Sequence, residues 1–129
     1  MFDNTIGIII LVLAAILYLI AFYYSKHDKI KSAVLLVVLA GFIIRCFVAS
    51  DPYLHPWDER YHALVAKNII SEPLKPTLYE DPVLPYNYKQ WHKNHIWVHT
   101  QPMPLWMMAA SMNVFGVNEF AMRLPSVLL

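Results

Sequence analysis

The sequence predicts an α-helical integral membrane protein with an exoplasmic loop that carries an amphipathic surface helix. Three observations predict it. Hydrophobic residues make up 58% of the 129-residue chain and charged residues only 15%, against about 25% charged in an ordinary soluble domain. The apolar residues are concentrated in long uncharged runs, of which 6–24 is 19 residues long, close to the ~20 that a helix needs to cross a bilayer core. Between the second and third runs lies a stretch, 51–101, that holds most of the acids, prolines and histidines.

Taken in order, the first run starts after Met1–Thr5, which has no Lys or Arg, and ends at Tyr23-Tyr24-Ser25-Lys26 without a small-x-small cleavage pattern. Signal peptides have a basic start and a core of ~7–15 apolar residues, so an uncleaved membrane helix is expected. The connector 25–31 (SKHDKIK) has three lysines against one aspartate. The excess of positive charge in cytoplasmic loops places it inside. The N-terminus, with Asp3, is then outside, and the second run, 32–50, returns the chain to the outer face. Arg45 interrupts this run. Its guanidinium can snorkel to the interface or pair with Asp51, or bind a lipid phosphate, whose geometry its planar fork matches. The loop 51–101 becomes exoplasmic, a third span covers 102–117, and 118–123 forms an inner turn ending in Arg123. Another apolar segment begins at Leu124, so the chain is expected to be the N-terminal part of something longer.

Within the loop, 58–71 (DERYHALVAKNIIS) places Tyr61, Leu64, Val65, Ile69 and Ile70 at helical spacing. Arg60, His62, Lys67 and Asn68 are expected around that stripe, as on a helix lying on a membrane surface. Asp58 and Glu59 fall in its first turn, where free N–H groups and the helix dipole favour negative charge. They serve there as caps, or as a base or ligand. Four prolines, at 73, 76, 82 and 85, argue against long helices in 72–100. Tyr79, Tyr86, Tyr88, Trp91 and Trp97 are suited to anchoring the loop among headgroups, or to stacking on sugar rings. His92, His95 and His99 are spaced to share a helical face, so a zinc or copper site competes with ordinary polar loop histidines. The net charge of +1, with no basic cluster interleaved with aromatics, gives no indication of nucleic-acid binding. The single cysteine, Cys46, excludes an intramolecular disulfide.

Three segments together carry a resemblance: WDERYHALVAKNI at 57–69, the proline-led HTQPMPLWMMAASMNVFG at 99–116, and FGVNEFAMRLPS at 115–126. In this order they resemble the membrane glycosyltransferases that use polyprenyl-phosphate sugars, namely the protein O-mannosyltransferase group and the related lipid A aminoarabinose transferases. The resemblance runs from about residue 45 onward. It implies the N-terminal part of a polytopic GT-C bundle in the membrane of a cell envelope, with a bacterial inner (plasma) membrane as the expected setting. The implied reaction transfers one sugar, with inversion, from a polyprenyl-phosphate donor to a lipid, glycan or protein acceptor at the outer face. Asp58 matches the family's catalytic aspartate. Glu59, Arg60 and Tyr61 beside it, with Arg45, are the expected substrate-binding residues, and a divalent metal is an open addition as cofactor. Two departures matter. Family members often carry Lys-Pro-Pro-Leu where this chain has Gln101-Pro102-Met103-Pro104-Leu105, so no role for that lysine transfers. The span 6–24 is also one more than the family's usual start. The residues present are expected not to form a competent catalyst alone. Two other readings are a small non-catalytic membrane subunit and a metal-binding membrane protein built on the loop histidines.

Overall fold

The computed structural model describes residues 4–87, 89–90 and 93–129; the expectations placed on Asp3, Tyr88, Trp91 and His92 lie outside the described residues. The chain divides into two compact units.

The first unit is a helical hairpin of α1 (Asn4–Lys26) and α2 (Ile30–Ala49). Among the described residues these two helices are long and apolar enough to cross a membrane, and their apolar side chains point toward membrane association. Few of them are buried: Ile8, Leu11, Leu19, Phe22, Leu35 and Val38 are each about 60–70% exposed, which suits lipid rather than water. The buried positions are small. Ala14 and Ala21 on α1, with Ala33 and Ala40 on α2, are covered, and Gly7 lies against the Phe47 ring. Starting from Gly7 opposite Phe47, heptad steps in opposite directions along the antiparallel helices align Ala14 with Ala40 and Ala21 with Ala33. Small residues let helix backbones approach closely where lipid offers no hydrophobic drive to associate. Ala40→Leu is therefore expected to overpack the seam and cost about 1–3 kcal/mol. Thermal unfolding in detergent checks it, with Val38→Leu on the exposed face as the unaffected control.

The hairpin turn closes through the Tyr24 carbonyl, which accepts from the backbone N–H groups of His27 (3.1 Å) and Lys29 (3.0 Å). Asp28 takes a left-handed conformation there (φ 58°), which Asp tolerates better than most residues. Lys26 lies over the Phe22 ring and Lys29 over Tyr24.

The second unit contains α3 (Asp58–Ile69), α4 (Pro102–Phe115) and α5 (Glu119–Leu128). Its core joins Val65, Ala66 and Ile69 of α3 to Leu105, Ala109 and Met112 of α4, with Leu78 and Trp97 from the intervening loop. Leu78, Leu105 and Val65 are fully buried, each stabilising by about 1.5–3 kcal/mol. The apolar face of α3 is thus covered by protein, which corrects the expectation of a helix lying on the membrane surface. Asn68, expected on the polar rim, is buried as well. Its Nδ2 donates to the Thr77 carbonyl at 2.9 Å and so satisfies its polarity while latching the loop to α3.

The described part of 72–100 contains no α-helix, as its prolines predict. It is pinned by an isolated antiparallel bridge between Thr77 and Ile96, through Leu78 N–H to the His95 carbonyl and Trp97 N–H to the Pro76 carbonyl, both 2.7 Å. Trp106 Nε1 donates to the Pro73 carbonyl at 2.7 Å and fixes the start of α4 near the end of α3.

The third expected span takes a different form. α4 has 14 residues, about 21 Å by helical rise, against a hydrocarbon core of ~30 Å. It runs antiparallel beside α3. Ile69 and Ile70 line a groove with Trp106 and Ala109 at one end, while Ala63 and Leu64 line another with Met112 and Val117 at the other. Arg123 Nε donates to Glu59 Oε1 at 2.6 Å and its Nη2 to the Tyr53 carbonyl at 2.8 Å. Groups in hydrogen-bond contact do not sit on opposite sides of a bilayer, so Arg123 shares a side with the acidic loop. This corrects the inner turn expected at 118–123.

Between α4 and α5, Gly116 adopts φ 87°, a conformation that suits glycine. Asn118 caps α5: its Oδ1 accepts from Ala121 N–H at 2.8 Å. Pro125, inside α5, has no N–H to give the Ala121 carbonyl one turn earlier. Ser111 on α4 fills that vacancy, its hydroxyl donating to Ala121 O at 2.5 Å. Ser111→Ala should orphan the carbonyl and destabilise the unit by about 1–3 kcal/mol, read as a lowered unfolding midpoint in detergent.

Candidate functional site

The acidic pair opens α3, and its two members have separate environments. Trp57 holds the N-cap position without a side-chain capping bond, and Asp58 and Glu59 occupy the first turn. Glu59 turns back into the protein. Its Oε2 accepts from the His55 backbone N–H at 2.6 Å and its Oε1 from Arg123. The Arg123 hydrogen bond holds the Glu59 carboxyl below its ordinary range, against burial, which pushes the other way; the His55 N–H and the Arg123 charge assist. Glu59 therefore stays ionised and clamps three segments: the stretch before α3, the start of α3, and α5.

Asp58 is exposed, and among the described residues its carboxylate has no hydrogen-bond or ion-pair partner. It opens onto two clefts, and His62 lines both. The first, about 340 Å³, is completed by Trp97, His99 and Thr100. The second, about 380 Å³, is walled by Met108 and Met122 and edged by His55, Glu59, Arg123 and Ser126. Asp58 and His62 stand one turn apart on the same face of α3.

The first cleft has a fixed floor. Trp97 is 4% exposed and stacks on Tyr61 at 5.5 Å between ring centroids, 15° from parallel. Its Nε1–H donates to Thr100 Oγ1 at 3.2 Å, and His62 Nε2 lies 2.7 Å from the same oxygen. Carboxylate, imidazole and hydroxyl groups over an aromatic base form a surface suited to a polyhydroxyl ligand and to removing a proton from one of its hydroxyls.

The other expected site residues are distributed differently. Arg60, next to the pair, is exposed, has its Nε 3.4 Å from the Leu54 carbonyl, and lines the groove with Ala63, Leu64 and Met112 rather than either Asp58 cleft. Tyr61 supports the floor through Trp97. Arg45 is exposed on α2 of the first unit. Of the histidines expected on one helical face, the two described ones do not share one: neither lies in a helix, and His95 lines a different cleft, with Tyr79 and Lys93, from His99. Among the described residues no group of three His, Cys, Asp or Glu side chains is placed to hold a metal ion; His92 is outside them.

His55, His62, Thr100 and Arg123 were not singled out as site residues by sequence. His62 had a signal, its four-residue spacing from Asp58. Thr100 lies 38 positions from His62 and Arg123 lies 64 from Glu59, separations that no local pattern marks. No family model, curated protein or solved structure matches the chain.

Proposed function

We propose that the chain forms the outer-face catalytic entrance of a membrane glycosyltransferase with a GT-C bundle, which moves a sugar from a polyprenyl-phosphate donor to a lipid, glycan or protein acceptor. The observation that carries this reading is the division of labour in the acidic pair. Glu59 is locked into a structural ion pair, while the neighbouring Asp58 is left open over two clefts. That arrangement leaves one carboxylate ready to take a proton and builds the other into its support.

Two clefts meeting at one carboxylate suit two substrates. An acceptor hydroxyl beside Asp58 would attack the anomeric carbon. The bond from that carbon to the phosphate oxygen breaks, its electron pair leaving with the polyprenyl phosphate, and the hydroxyl proton passes to Asp58. The apolar hairpin provides the membrane anchorage that such a lipid-linked donor requires. The lysine-containing connector 25–31 favours the cytoplasmic side, in keeping with an outer-face position for the loop that follows α2.

The test uses the full-length protein in lipid vesicles, with polyprenyl-phosphate-linked glucose and mannose tried in turn and the release of free polyprenyl phosphate as readout. Release that depends on the Asp58 carboxylate supports the proposal. Release unaffected by Asp58→Asn removes it.

A further inference from the structure

We infer that His62 is the proton-relay partner of Asp58, a positioning residue whose tautomer is set by Thr100; this rests on the glycosyl-transfer reading above. The argument starts from hydrogen-bond capacity. Trp97 Nε1–H can only donate, so it occupies one lone pair of Thr100 Oγ1. The second lone pair faces His62 Nε2 at 2.7 Å. If Nε2 carries the hydrogen, Thr100 accepts from both rings, and its own proton turns elsewhere. His62 Nδ1 then has a free lone pair.

That tautomer is the one in which the anchor survives protonation. When Nδ1 gains a proton, Nε2–H still donates to Thr100 and nothing has to move. In the other tautomer, a proton arriving at Nε2 would displace the Thr100 hydroxyl hydrogen from its bond. A relay must hold its geometry in both charge states, and the Trp97–Thr100–His62 chain does so. The packing agrees. Trp97 meets the His62 ring edge-on at 6.0 Å and is itself buried and held by Tyr61, so the imidazole is oriented by a fixed indole while lining both clefts.

The step balances. Asp58 takes the acceptor's hydroxyl proton as the new glycosidic bond forms and the phosphate bond breaks. Asp58 then passes the proton through a water in the clefts both residues line to His62 Nδ1, which releases it to bulk water and returns neutral. Among the described residues, the titratable and charged groups that share a cleft with His62 are Asp58 and Glu59 on α3, His55 before it, His99 across the first cleft, and Arg123 on α5. Glu59 and Arg123 neutralise one another, which leaves Asp58, among the described residues, as the unpaired charge in the clefts that His62 lines.

The experiment compares full-length wild type, His62→Gln, Thr100→Val and Asp58→Asn in the polyprenyl-phosphate release assay, from about pH 5 to 8, where histidine titrates. His62→Gln should lower kcat about 10²-fold with KM unchanged, the low end for a positioned proton-transfer group. It should also move the acid limb of the rate profile to lower pH, because a histidine no longer has to be neutral. Thr100→Val keeps the imidazole and should shift the limb in the same direction with a smaller fall in kcat. A uniform loss at every pH with the limb unmoved, or wild-type kinetics in His62→Gln, overturns the relay. Should Asp58→Asn also behave as wild type, the glycosyl-transfer reading has failed and the relay falls with it. If Asp58→Asn is inactive while both other variants keep the wild-type profile, the relay alone is wrong.

Discussion

Asp58→Asn is expected to reduce sugar transfer by about 10²–10⁴-fold, the contribution of a positioned general base, while leaving the fold intact. The substitution keeps shape and volume but removes the negative charge and, with it, the capacity to accept a proton. Asp58 is exposed and in the first turn of α3, so the change removes at most a favourable dipole interaction, worth about 0.3–1 kcal/mol. Its neighbour is not a substitute. Glu59 has one oxygen on Arg123 and the other on the His55 N–H, and moving it to the cleft would break both bonds. The loss should therefore appear in kcat, measured as polyprenyl phosphate released by the full-length protein in vesicles. An unchanged unfolding midpoint in the same preparation separates lost chemistry from lost structure. Near-normal release would remove Asp58 from the reaction.

The parts of this molecule legible in sequence are those written locally. The uncharged runs set α1 and α2 within a few residues, Asp58 and Glu59 mark the start of α3, and Pro102 marks the start of α4. The alanine seam of the hairpin is harder to read, because every surrounding position is apolar and the heptad of small residues does not stand out by hydropathy. The face of α3 is a different problem. Periodicity shows that Val65 and Ile69 need cover, but lipid and the side chains of α4 are equally apolar, and only the tertiary arrangement selects Leu105, Ala109 and Met112. The same holds for Arg123, whose sequence position after an apolar run suggested a charge at the far membrane face. Its partner is 64 residues earlier, and that pairing brings α5 back to the acidic loop. At the candidate site, motif and spacing pointed to Asp58 and could have pointed to His62. Thr100, which fixes the imidazole, is brought in by the Thr77–Ile96 bridge and the burial of Trp97.

The second large effect is expected at Arg123. Arg123→Met should destabilise the second unit by about 2 kcal/mol near neutral pH, within the range for hydrogen bonds to charged groups. The Arg123 and Glu59 side chains are 13% and 26% exposed, so the pair is less screened than a surface salt bridge. The variant strands a carboxylate that burial already disfavours, and it frees the Tyr53 carbonyl. Acidification gives the distinguishing signature. Arg123 holds the Glu59 pKa below its ordinary value of 4.5, so the unfolded chain takes up this proton first. The resulting stability is complete above that unfolded value and is lost as pH falls through the lower folded one. The gap between wild type and Arg123→Met, read from unfolding midpoints in detergent, should therefore be widest near neutrality and narrow below about pH 4.5. A gap that stays constant on acidification would mean that Arg123 acts through packing alone. Glu59→Gln should show a matching loss, and the double variant should cost less than the sum of the two, because each single change removes the same bond. Because the clamp also positions the start of α3, Arg123→Met should slow transfer while Asp58 itself is untouched. The ion pair would then act on the chemistry only through the carboxylate beside it.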